Sequence, residues 1–301
     1  MHRTPLLSAA TIGDRVGVRL FLKCESFQKT GSFKARGALN NVLSIPPQQR
    51  ARGICTVSAG NHAQAVAWAA KRVGAPCVVV MPAAAPRSKV DAVRGYGAEI
   101  VFHDDLSTIF ERLEQVRRER GAAFVHPFDD PLTLAGAGTM GLEILEELPH
   151  ADVVIVPVGG GGLMGGVATA IKGMSPRTRV VAVELEEGPG LIPALEAGKP
   201  IPVARPKQTL CDGMTPPFVG AIPLEIARRC VDEVVSVSEG EVKDAMRLLL
   251  TRAKLYVEGS GAAATAALMA GRFSPPPGAT VVSIVSGGNV DPERFCSALF
   301  G

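Results

Sequence analysis

The stretch VVIVPVGGGGLMGG, from Val153 to Gly166, predicts a buried strand, a tight glycine turn and the start of a helix. An uninterrupted run of Val and Ile is typical of a strand that is covered on both faces in a parallel sheet. In open α/β sheets, ligands bind at the carboxyl ends of the strands, and the free N–H groups at a helix N-terminus attract phosphate. The stretch therefore predicts an α/β fold with a phosphate site at the glycine turn.

The rest of the chain repeats this alternation of short apolar runs and helical patterns. The predicted strands are GVRLFL (17–22), GICTV (53–57), PCVVVM (76–81), EIVFH (99–103), AAFVH (122–126), VVIVPV (153–158), RVVAVEL (179–185), DEVVSVS (232–238) and TVVSIVS (280–286). The predicted helices are Lys34–Val42, His62–Val73, Ser88–Tyr96, Leu106–Arg120, Leu134–Leu148, Leu163–Gly173, Glu239–Arg252 and Gly261–Ala270. This alternation predicts parallel sheets with helices on both faces. Because no Gly/Ser linker divides the chain, a second domain would be interleaved with the first.

The composition excludes several classes of partner. The chain has 301 residues, enough for one large or two ordinary domains, and a formal net charge of +3. Because it has few aromatic residues and no Lys- or Arg-rich run, it predicts no nucleic-acid partner. The uncharged stretch 153–171 is long enough for a membrane span, but its glycine run would break a helix. With no apolar signal segment at the N-terminus, these features predict a cytoplasmic protein without a membrane partner.

The cysteines show no metal-binding or disulfide pattern. They are Cys24, Cys55, Cys77, Cys211, Cys230 and Cys296. None forms a C-x-x-C pair, and no Cys/His cluster has the spacing of a zinc or iron–sulfur site. Several lie in apolar, strand-like runs, which favours buried and reduced thiols in a cytosolic protein.

One lysine stands out in ESFQKTGSFKARGALN, Glu25–Asn40, because the neighbours of Lys34 are small or apolar. Burial disfavours the ammonium form and lowers the pKa of an amine, which makes it nucleophilic enough for Schiff-base chemistry. An ordinary lysine at a helix start also fits, and on this stretch alone both interpretations stay open.

The glycine turn also fits a dinucleotide. Gly160–Gly165 satisfies G-x-G-x-x-G, and Glu184 follows near the end of the next strand, where a ribose-binding acid would lie. An NAD(P)-dependent oxidoreductase is therefore a rival hypothesis from another enzyme class. A third interpretation is that the glycines only allow close packing of the strand and the helix.

Two further turns have small polar residues at strand ends. In ICTVSAGNHAQ, residues 54–64, Ser58 can cap the following helix, and free N–H groups there would suit a carboxylate. His62 has no second ligand at i+4, so we expect it to form hydrogen bonds and not to bind a metal. In TVVSIVSGGNV, residues 280–290, Ser286 ends another strand. Each turn taken alone also fits a purely structural role.

In this order, the motifs resemble those of the fold-type II pyridoxal-phosphate enzymes, and within them the serine/threonine dehydratase and serine racemase group. The resemblance runs from TPLL at Thr4 to SGGNVD at Ser286, through KCESFQKTGSFKARGA, SAGNHAQ, PVGGGGL, CDGM and EGSGAA, and so covers nearly the whole chain. It implies a fold like that of the tryptophan synthase β-subunit, α/β with two interleaved, parallel-rich sheets and helices on both faces. The implied domains are a large cofactor-binding domain, 1–52 with 131–301, and an inserted small domain, 53–130.

The resemblance also implies roles for individual residues. Lys34 would hold the aldehyde of pyridoxal 5'-phosphate as a Schiff base and act as the catalytic base. The other cofactor-binding residues would be Phe33, Asn61, Gly159, Gly160, Gly161, Gly162, Leu163, Gly213, Glu258 and Ser286. The carboxylate of the substrate would lie among Ser58, Gly60 and His62.

The implied reaction removes water and ammonia from L-threonine or L-serine and gives 2-oxobutanoate or pyruvate. Racemases of this group have a second serine where this chain has Ala59, and alanine carries no transferable proton. The sequence therefore predicts that dehydration far exceeds racemisation. A serine racemase, a hydroxyaspartate dehydratase and a non-catalytic small-molecule binding protein remain alternatives on the same fold.

Two further departures from the group concern metal binding and regulation. Some relatives bind a divalent cation through a glutamate, a carbonyl and an aspartate. Glu184 and Gly188 match the first two, but Gly190 replaces the aspartate, so no metal is predicted. The chain ends soon after SGGNVD, which predicts an enzyme of the catabolic type without an amino-acid-sensing domain. The resemblance also implies a homodimer.

Overall fold

The computed structural model describes residues 1–105, 107–204, 206 and 208–300. Its strands are β1 Leu6–Ser8, β2 Arg19–Cys24, β3 Ile54–Val57, β4 Cys77–Pro82, β5 Glu99–His103, β6 Ala123–Phe124, β7 Val153–Pro157, β8 Arg179–Leu185, β9 Glu233–Val237 and β10 Thr280–Val285. Its α-helices are α1 Ala10–Gly13, α2 Lys34–Ser44, α3 Pro47–Arg52, α4 Asn61–Arg72, α5 Arg87–Gly95, α6 Ile109–Arg120, α7 Pro131–Glu147, α8 Gly162–Met174, α9 Leu191–Ala197, α10 Ala221–Cys230, α11 Glu239–Leu248, α12 Gly259–Met269 and α13 Pro292–Phe300.

These strands form two sheets. The larger sheet has the order β1-β2-β10-β7-β8-β9, and its pairs are parallel except for the antiparallel pair of β1 with β2. The smaller sheet has the order β5-β4-β3-β6 and is parallel throughout. Its strands lie in the chain between β2 and β7 of the larger sheet. The prediction of an α/β fold with two interleaved, parallel-rich sheets is confirmed; the domain boundaries at 52/53 and 130/131 stay a prediction.

The strand of the opening stretch, β7, lies inside the larger sheet between β10 and β8. Side chains alternate between the faces of a strand. Val153 and Ile155 accordingly pack into the core on one face, while Val154 and Val156 pack into the core on the other. Because helices cover both faces, all four side chains are buried, which explains why the sequence shows no polar alternation here.

Helix α2 connects the two sheets. Ala38, Leu39 and Val42 belong to the core that covers the smaller sheet. On its other side α2 packs backbone to backbone on α7, since a Cβ on Gly37 would lie 2.6 Å from the Thr133 carbonyl oxygen. The first residue of this helix, Lys34, therefore lies where the two sheets meet.

A cluster of buried charged side chains holds the first turn of α2 in place. Arg36 donates to Glu25 at 2.8 Å and to Glu143 at 2.6 Å, and Lys23 lies 2.7 Å from Glu143. Removing one partner of a buried ion pair costs about 3–5 kcal/mol, because the other charge is left uncompensated. Arg36, two residues from Lys34 on the same helix, has its guanidinium group bonded in this cluster.

Several elements differ from the predictions. No pattern in the sequence predicted β1, α1, α3, α9, α10 or α13. The predicted helix 239–252 is an α-helix only to Leu248 and continues as a π-helical turn from Leu249 to Ala253. The predicted start of another helix, Leu106, lies outside the described residues, and the helix begins at Ile109 in the structure. Within the described ranges, no helix is both long and apolar enough to cross a membrane.

The cysteines are all free thiols. Cys24, Cys55, Cys77 and Cys211 are buried, Cys230 is partly buried and Cys296 is exposed. Burial raises the pKa of the Cys24 thiol to about 12, which makes it unreactive near neutral pH. The expectation of buried thiols therefore applies to four of the six and fails for Cys296.

Candidate active site

A cavity of about 610 Å³ lies between the two sheets. Its lining includes every residue that the family resemblance assigned to cofactor or substrate: Phe33, Lys34, Ser58, Gly60, Asn61, His62, Gly159, Gly160, Gly161, Gly162, Leu163, Gly213, Glu258 and Ser286. Apart from Gly213, which lies in the turn Asp212–Met214, these residues come from the ends of strands and the starts of helices in both sheet units, as expected for a ligand site in a parallel α/β fold.

Lys34 lies at the start of α2 with its amine in the cavity wall. Its Nζ donates to the carbonyl oxygen of Pro127 at 2.7 Å and lies 5.1 Å from the centre of the Phe33 ring. Burial lowers the pKa of the amine to about 8. A larger neutral fraction near pH 7 than for an exposed lysine makes this amine a better nucleophile and base.

The backbone on either side of Lys34 is tied to the end of β10. The N–H of Phe33 donates to the carbonyl oxygen of Ser286 at 3.0 Å, and Ser32 forms an isolated bridge with Gly287. Glycine at position 287 allows this approach, because a Cβ there would lie 3.0 Å from the Cβ of Ser32 and 2.6 Å from Oε1 of Glu258. The strand end that carries Ser286 and the helix start that carries Lys34 are thereby held side by side.

The glycine turn is closely packed and leaves only backbone at the cavity. A Cβ on Gly160 would lie 2.3 Å from the Phe128 ring, and one on Gly159 would lie 2.9 Å from the Gly213 carbonyl oxygen. Gly161 has a φ of +90°, a conformation that favours glycine. Helix α8 begins at Gly162, so its first N–H groups lack intrahelical partners and can bind an anion.

The second strand-to-helix turn, SAGN, precedes α4. Ser58 Oγ accepts from the N–H of Gly60 at 3.1 Å, and α4 begins at Asn61. His62 Nε2 pairs with the carbonyl oxygen of Val125 at 3.1 Å, which assigns the proton to Nε2. Burial lowers the pKa of His62 to about 3, so the ring is neutral, and its buried Nδ1 has no partner among the described residues.

Asn61 and Glu258 join the two sheet units at the cavity. Asn61 Nδ2 donates to Glu258 Oε1 at 2.7 Å, and Asn289 Nδ2 donates to Asn61 Oδ1 at 2.8 Å. Burial, reinforced by the carboxylate of Asp212, raises the pKa of Glu258 to about 7, while Lys89 opposes the rise. Glu258 is therefore partly protonated at neutral pH and can donate as well as accept hydrogen bonds.

The sequence interpretation missed several residues of the lining. Lys89 and Asp212 form an ion pair there, and Phe110 and Phe218 line the cavity with apolar rings. Ser260 is a further lining residue with a buried hydroxyl. Asp212 and Ser260 lay inside the quoted CDGM and EGSGAA motifs, but nothing in the sequence indicated which side chains of those motifs face the cavity.

Glu184 does not belong to the cavity. Its Oε2 accepts from the N–H groups of Gly190 at 2.8 Å and of Leu191 at 2.6 Å, and Oε1 accepts from Ile192 at 3.3 Å. The carboxylate therefore caps the N-terminus of α9. The ribose-binding acid of the oxidoreductase hypothesis is thus bonded elsewhere. Within the part of the chain that the structure describes, no three His, Cys, Asp or Glu side chains gather as a metal site.

Comparison with known proteins shows similarity over nearly the whole chain. The sequence profile of the family described as "Pyridoxal-phosphate dependent enzyme" matches residues 1–287. The chain is 42% identical to the L-threonine ammonia-lyase of Thermotoga maritima over 97% of this chain and 72% of that protein. It is 40% identical to the catabolic L-threonine dehydratase TdcB of Escherichia coli over 98% of this chain and 90% of the relative. The structure of maize serine racemase superimposes with a TM-score of 0.93 at 38% identity, covering 99% of this chain and 92% of the other.

Proposed function

Because the chain belongs to the pyridoxal-phosphate dependent enzyme family, we propose that it is a lyase that removes water and ammonia from L-threonine and L-serine. The products are 2-oxobutanoate from threonine and pyruvate from serine. One observation carries the proposal: the amine of Lys34, with its pKa lowered by burial to about 8, lines the same cavity as the glycine turn and the start of α4.

The residues of the cavity fit pyridoxal phosphate. Lys34 offers a nucleophilic amine for the aldehyde, and the N–H groups of the Gly159–Gly162 turn offer donors for the phosphate without a side chain in the way. Asn61 and Ser286 would bind the polar atoms of the ring, with Phe33, Gly213, Glu258 and Leu163 around it. When bound, this cofactor withdraws electrons from the substrate's Cα and so makes the Cα proton acidic.

Lys34 carries out the proton transfers. Its neutral amine takes the Cα proton as a general base, and the carbonyl oxygen of Pro127 orients Nζ through the hydrogen bond at 2.7 Å. The resulting ammonium then gives a proton to the departing β-hydroxyl, which leaves as water. Hydrolysis of the unsaturated amino acid that remains releases ammonia and the 2-oxo acid.

The start of α4 binds the substrate carboxylate. The N–H groups of its first turn and the helix dipole attract an anion, and the turn from Ser58 to Gly60 leaves the approach open. Neutral His62 lines the cavity next to this turn, and its unpartnered Nδ1 is an acceptor that could take a hydrogen bond from a donor of the ligand but not from the carboxylate. Lys34 lines the same cavity, and the cation nearest to this turn, Lys89, is already paired with Asp212.

Racemase activity is the second candidate, favoured by the likeness to maize serine racemase. Racemisation needs a proton donor on the face of Cα opposite Lys34. Ala59 lines the cavity in the turn where racemases of the group have a serine, and its methyl group has no proton to give. Dehydration is therefore the proposed main activity, and racemisation is the minor one.

A substrate with a second carboxylate, such as hydroxyaspartate, fits less well. Lys89 is a cation of the lining besides Lys34, and its Nζ is 2.5 Å from Asp212. An acidic side chain would have to displace Asp212 to reach it. The apolar rings of Phe110 and Phe218 suit the methyl group of threonine better.

We propose further that the protein is cytoplasmic, forms a homodimer and has two domains. The free cysteines suit a reducing cytoplasm. The exposed apolar side chains of Phe27 and Leu43 suit an interface in a homodimer. The large domain is 1–52 with 131–301 and the small domain is 53–130, in keeping with the division of the strands between the two sheets.

A spectrum and an amino-acid panel test the function. The cofactor-loaded protein should absorb in the violet, lose this band with borohydride, and lack it in Lys34→Ala. In the panel, threonine and serine should give 2-oxo acids much faster than hydroxyaspartate does. A colourless protein that binds NADH, or a coloured one that forms 2-oxo acid only from an acidic substrate, would contradict the proposal.

A further inference from the structure

Ser260, the second residue of α12, has a buried hydroxyl at the cavity that no described residue satisfies. Its side chain lines the cavity, and the residue is only 4% exposed. Its carbonyl oxygen accepts from Ser286 Oγ at 3.2 Å, but Ser260 Oγ has no hydrogen-bond partner among the described residues. Native proteins pair most buried polar atoms, so an orphaned hydroxyl in a cavity indicates a ligand atom.

The same helix shows that α12 can pair a buried hydroxyl when no ligand is involved. One turn further on, Thr265 Oγ1 lies 2.9 Å from Ser283 Oγ, and both residues are fully buried away from the cavity. The buried side-chain atoms without a partner in the described part of the chain are Thr30 Oγ1, Ser32 Oγ, His62 Nδ1 and Ser260 Oγ. Of these residues, His62 and Ser260 line the cavity.

The neighbours of Ser260 indicate which ligand it meets. A Cβ on Gly213 would lie 2.9 Å from Ser260 Oγ, and a Cβ on Gly159 of the glycine turn would lie 2.9 Å from the Gly213 carbonyl oxygen. Ser260 also holds Ser286 through its carbonyl group. Its hydroxyl therefore lies on the large-sheet side of the cavity with Gly213, the glycine turn and Ser286, which are proposed to bind the cofactor, while the proposed carboxylate site is at the start of α4.

We propose that the Ser260 hydroxyl donates a hydrogen bond directly to bound pyridoxal phosphate, on the side formed by Gly213 and Ser286. This inference rests on the proposed function. It makes Ser260 a cofactor-contacting residue, and it explains why this buried hydroxyl of α12, unlike that of Thr265, has no protein partner.

The test compares Ser260→Ala with the wild type, both stripped of cofactor and titrated with pyridoxal phosphate. In the stripped protein the substitution removes an unpaired hydroxyl, so its Tm should equal or exceed that of the wild type. The rise in Tm on cofactor addition should shrink, and the Kd from the visible absorbance should increase about tenfold, the value of one lost hydrogen bond. If the hydroxyl were only structural, its removal would not leave the stripped protein as stable as the wild type while weakening its binding of the cofactor.

Thr265→Val is the matched control. It removes a buried hydroxyl of the same helix but breaks the pair with Ser283. It should lower the Tm of both forms and leave the Kd for the cofactor unchanged. Equal Kd values and equal Tm rises in Ser260→Ala and wild type would overturn the role of Ser260 alone. A wild type that takes up no cofactor would overturn the proposed function and, with it, this inference.

Discussion

Lys89 and Asp212 form an ion pair, with Nζ 2.5 Å from Oδ2, that connects α5 of the smaller sheet to the turn Asp212–Met214 of the larger one. Both residues line the cavity, and Arg294 approaches the same carboxylate at 3.7 Å. Lys89 Nζ also lies 3.9 Å from the place of a Cβ on Gly60, in the turn before α4. The pair therefore spans the cavity beside the proposed carboxylate site.

Breaking this pair should weaken substrate binding more than it slows the chemical step. We expect Lys89→Met to raise the KM for threonine about two- to fivefold, the range of a partly exposed ion pair, with a smaller change in kcat. The reason is that the two sheet units lose a tie next to the bound amino acid. Arg120→Met, which breaks the exposed Arg120–Glu99 pair on the smaller sheet, is the control and should change neither constant. A fall in kcat with an unchanged KM would contradict this role.

The pKa of Lys34 sets the pH dependence of cofactor uptake. Only the neutral amine attacks the aldehyde, so the rate of uptake should rise with pH and level off above about 8, the pKa lowered by burial. An exposed lysine would keep rising toward about 10.4. The rate is measured by stopped-flow absorbance after pyridoxal phosphate is mixed with the stripped protein. A rate that still increases above pH 9.5 would show that the amine is not desolvated.

The lowered pKa of Lys34 also makes the stability of the folded protein depend on pH. Between about pH 8 and the usual lysine pKa, the amine of Lys34 binds more protons in the unfolded chain than in the folded one. The contribution of Lys34 to the free energy of unfolding therefore rises with pH in this range, and it is lowest below the pKa of the folded state. Lys34→Met should therefore raise the Tm of the stripped protein at pH 7, and the gain should shrink as the pH approaches 10. A gain that is independent of pH would mean that burial of charge is not its cause.

Local patterns were sufficient to predict strands β2–β10 and the three turns of the site. A strand that ends in a glycine turn and a lysine among small residues are patterns of a few neighbouring residues, so they can be seen without knowing the tertiary contacts. The starts of α9 and α10 were missed because their caps come from elsewhere: Asp129 accepts from the N–H of Ala221 at 3.1 Å, and Glu184 caps α9 from the end of β8. Gly220 holds the N-cap position of α10, and no Ser, Thr, Asp or Asn stands there to indicate the start of a helix.

The missed parts of the site have the same physical origin. Lys89 and Asp212 are 123 positions apart, and only the folded arrangement of the two sheet units brings the charges together. Ser260 looks like one small residue of a helix start until burial shows that its hydroxyl lacks a partner. Chemistry at the strand ends was predictable, whereas contacts between the two sheet units were not.

A hydroxyl at position 59 should restore the missing proton donor. We expect Ala59→Ser to form D-serine from L-serine at a measurable rate, while the wild type forms pyruvate with little D-serine. Chiral chromatography of the unreacted serine gives the result. Ala59→Gly is the control, because it changes the size of the side chain without adding a proton donor. Appreciable D-serine from the wild type would mean that another group on the opposite face transfers the proton.

The packing of the glycine turn predicts a large effect from a single methyl group. In Gly160→Ala the new Cβ would meet the Phe128 ring at 2.3 Å, so the turn or the ring must move. We expect a loss of about 1–3 kcal/mol in the free energy of unfolding, as for an overpacked core, together with weaker cofactor binding. Gly173→Ala, in the last turn of α8 with nothing within 4 Å of the new Cβ, is the matched control. It should stabilise the protein by about 0.5–1 kcal/mol, because alanine favours a helix, and should leave the cofactor Kd unchanged.

The capping role of Glu184 separates a structural carboxylate from a cation ligand. Glu184→Ala removes the acceptor for the first N–H groups of α9, and the loss of a cap of this kind lowers the free energy of unfolding by about 1–2 kcal/mol. Because Glu184 is not part of the cavity lining, the Kd for pyridoxal phosphate should stay at the wild-type value. Chemical denaturation and an absorbance titration measure the two quantities on the same preparation. If instead the variant folds normally but loses activity, and the wild type loses the same activity on chelation and regains it with Mg²⁺, Glu184 binds a cation and the capping role is secondary.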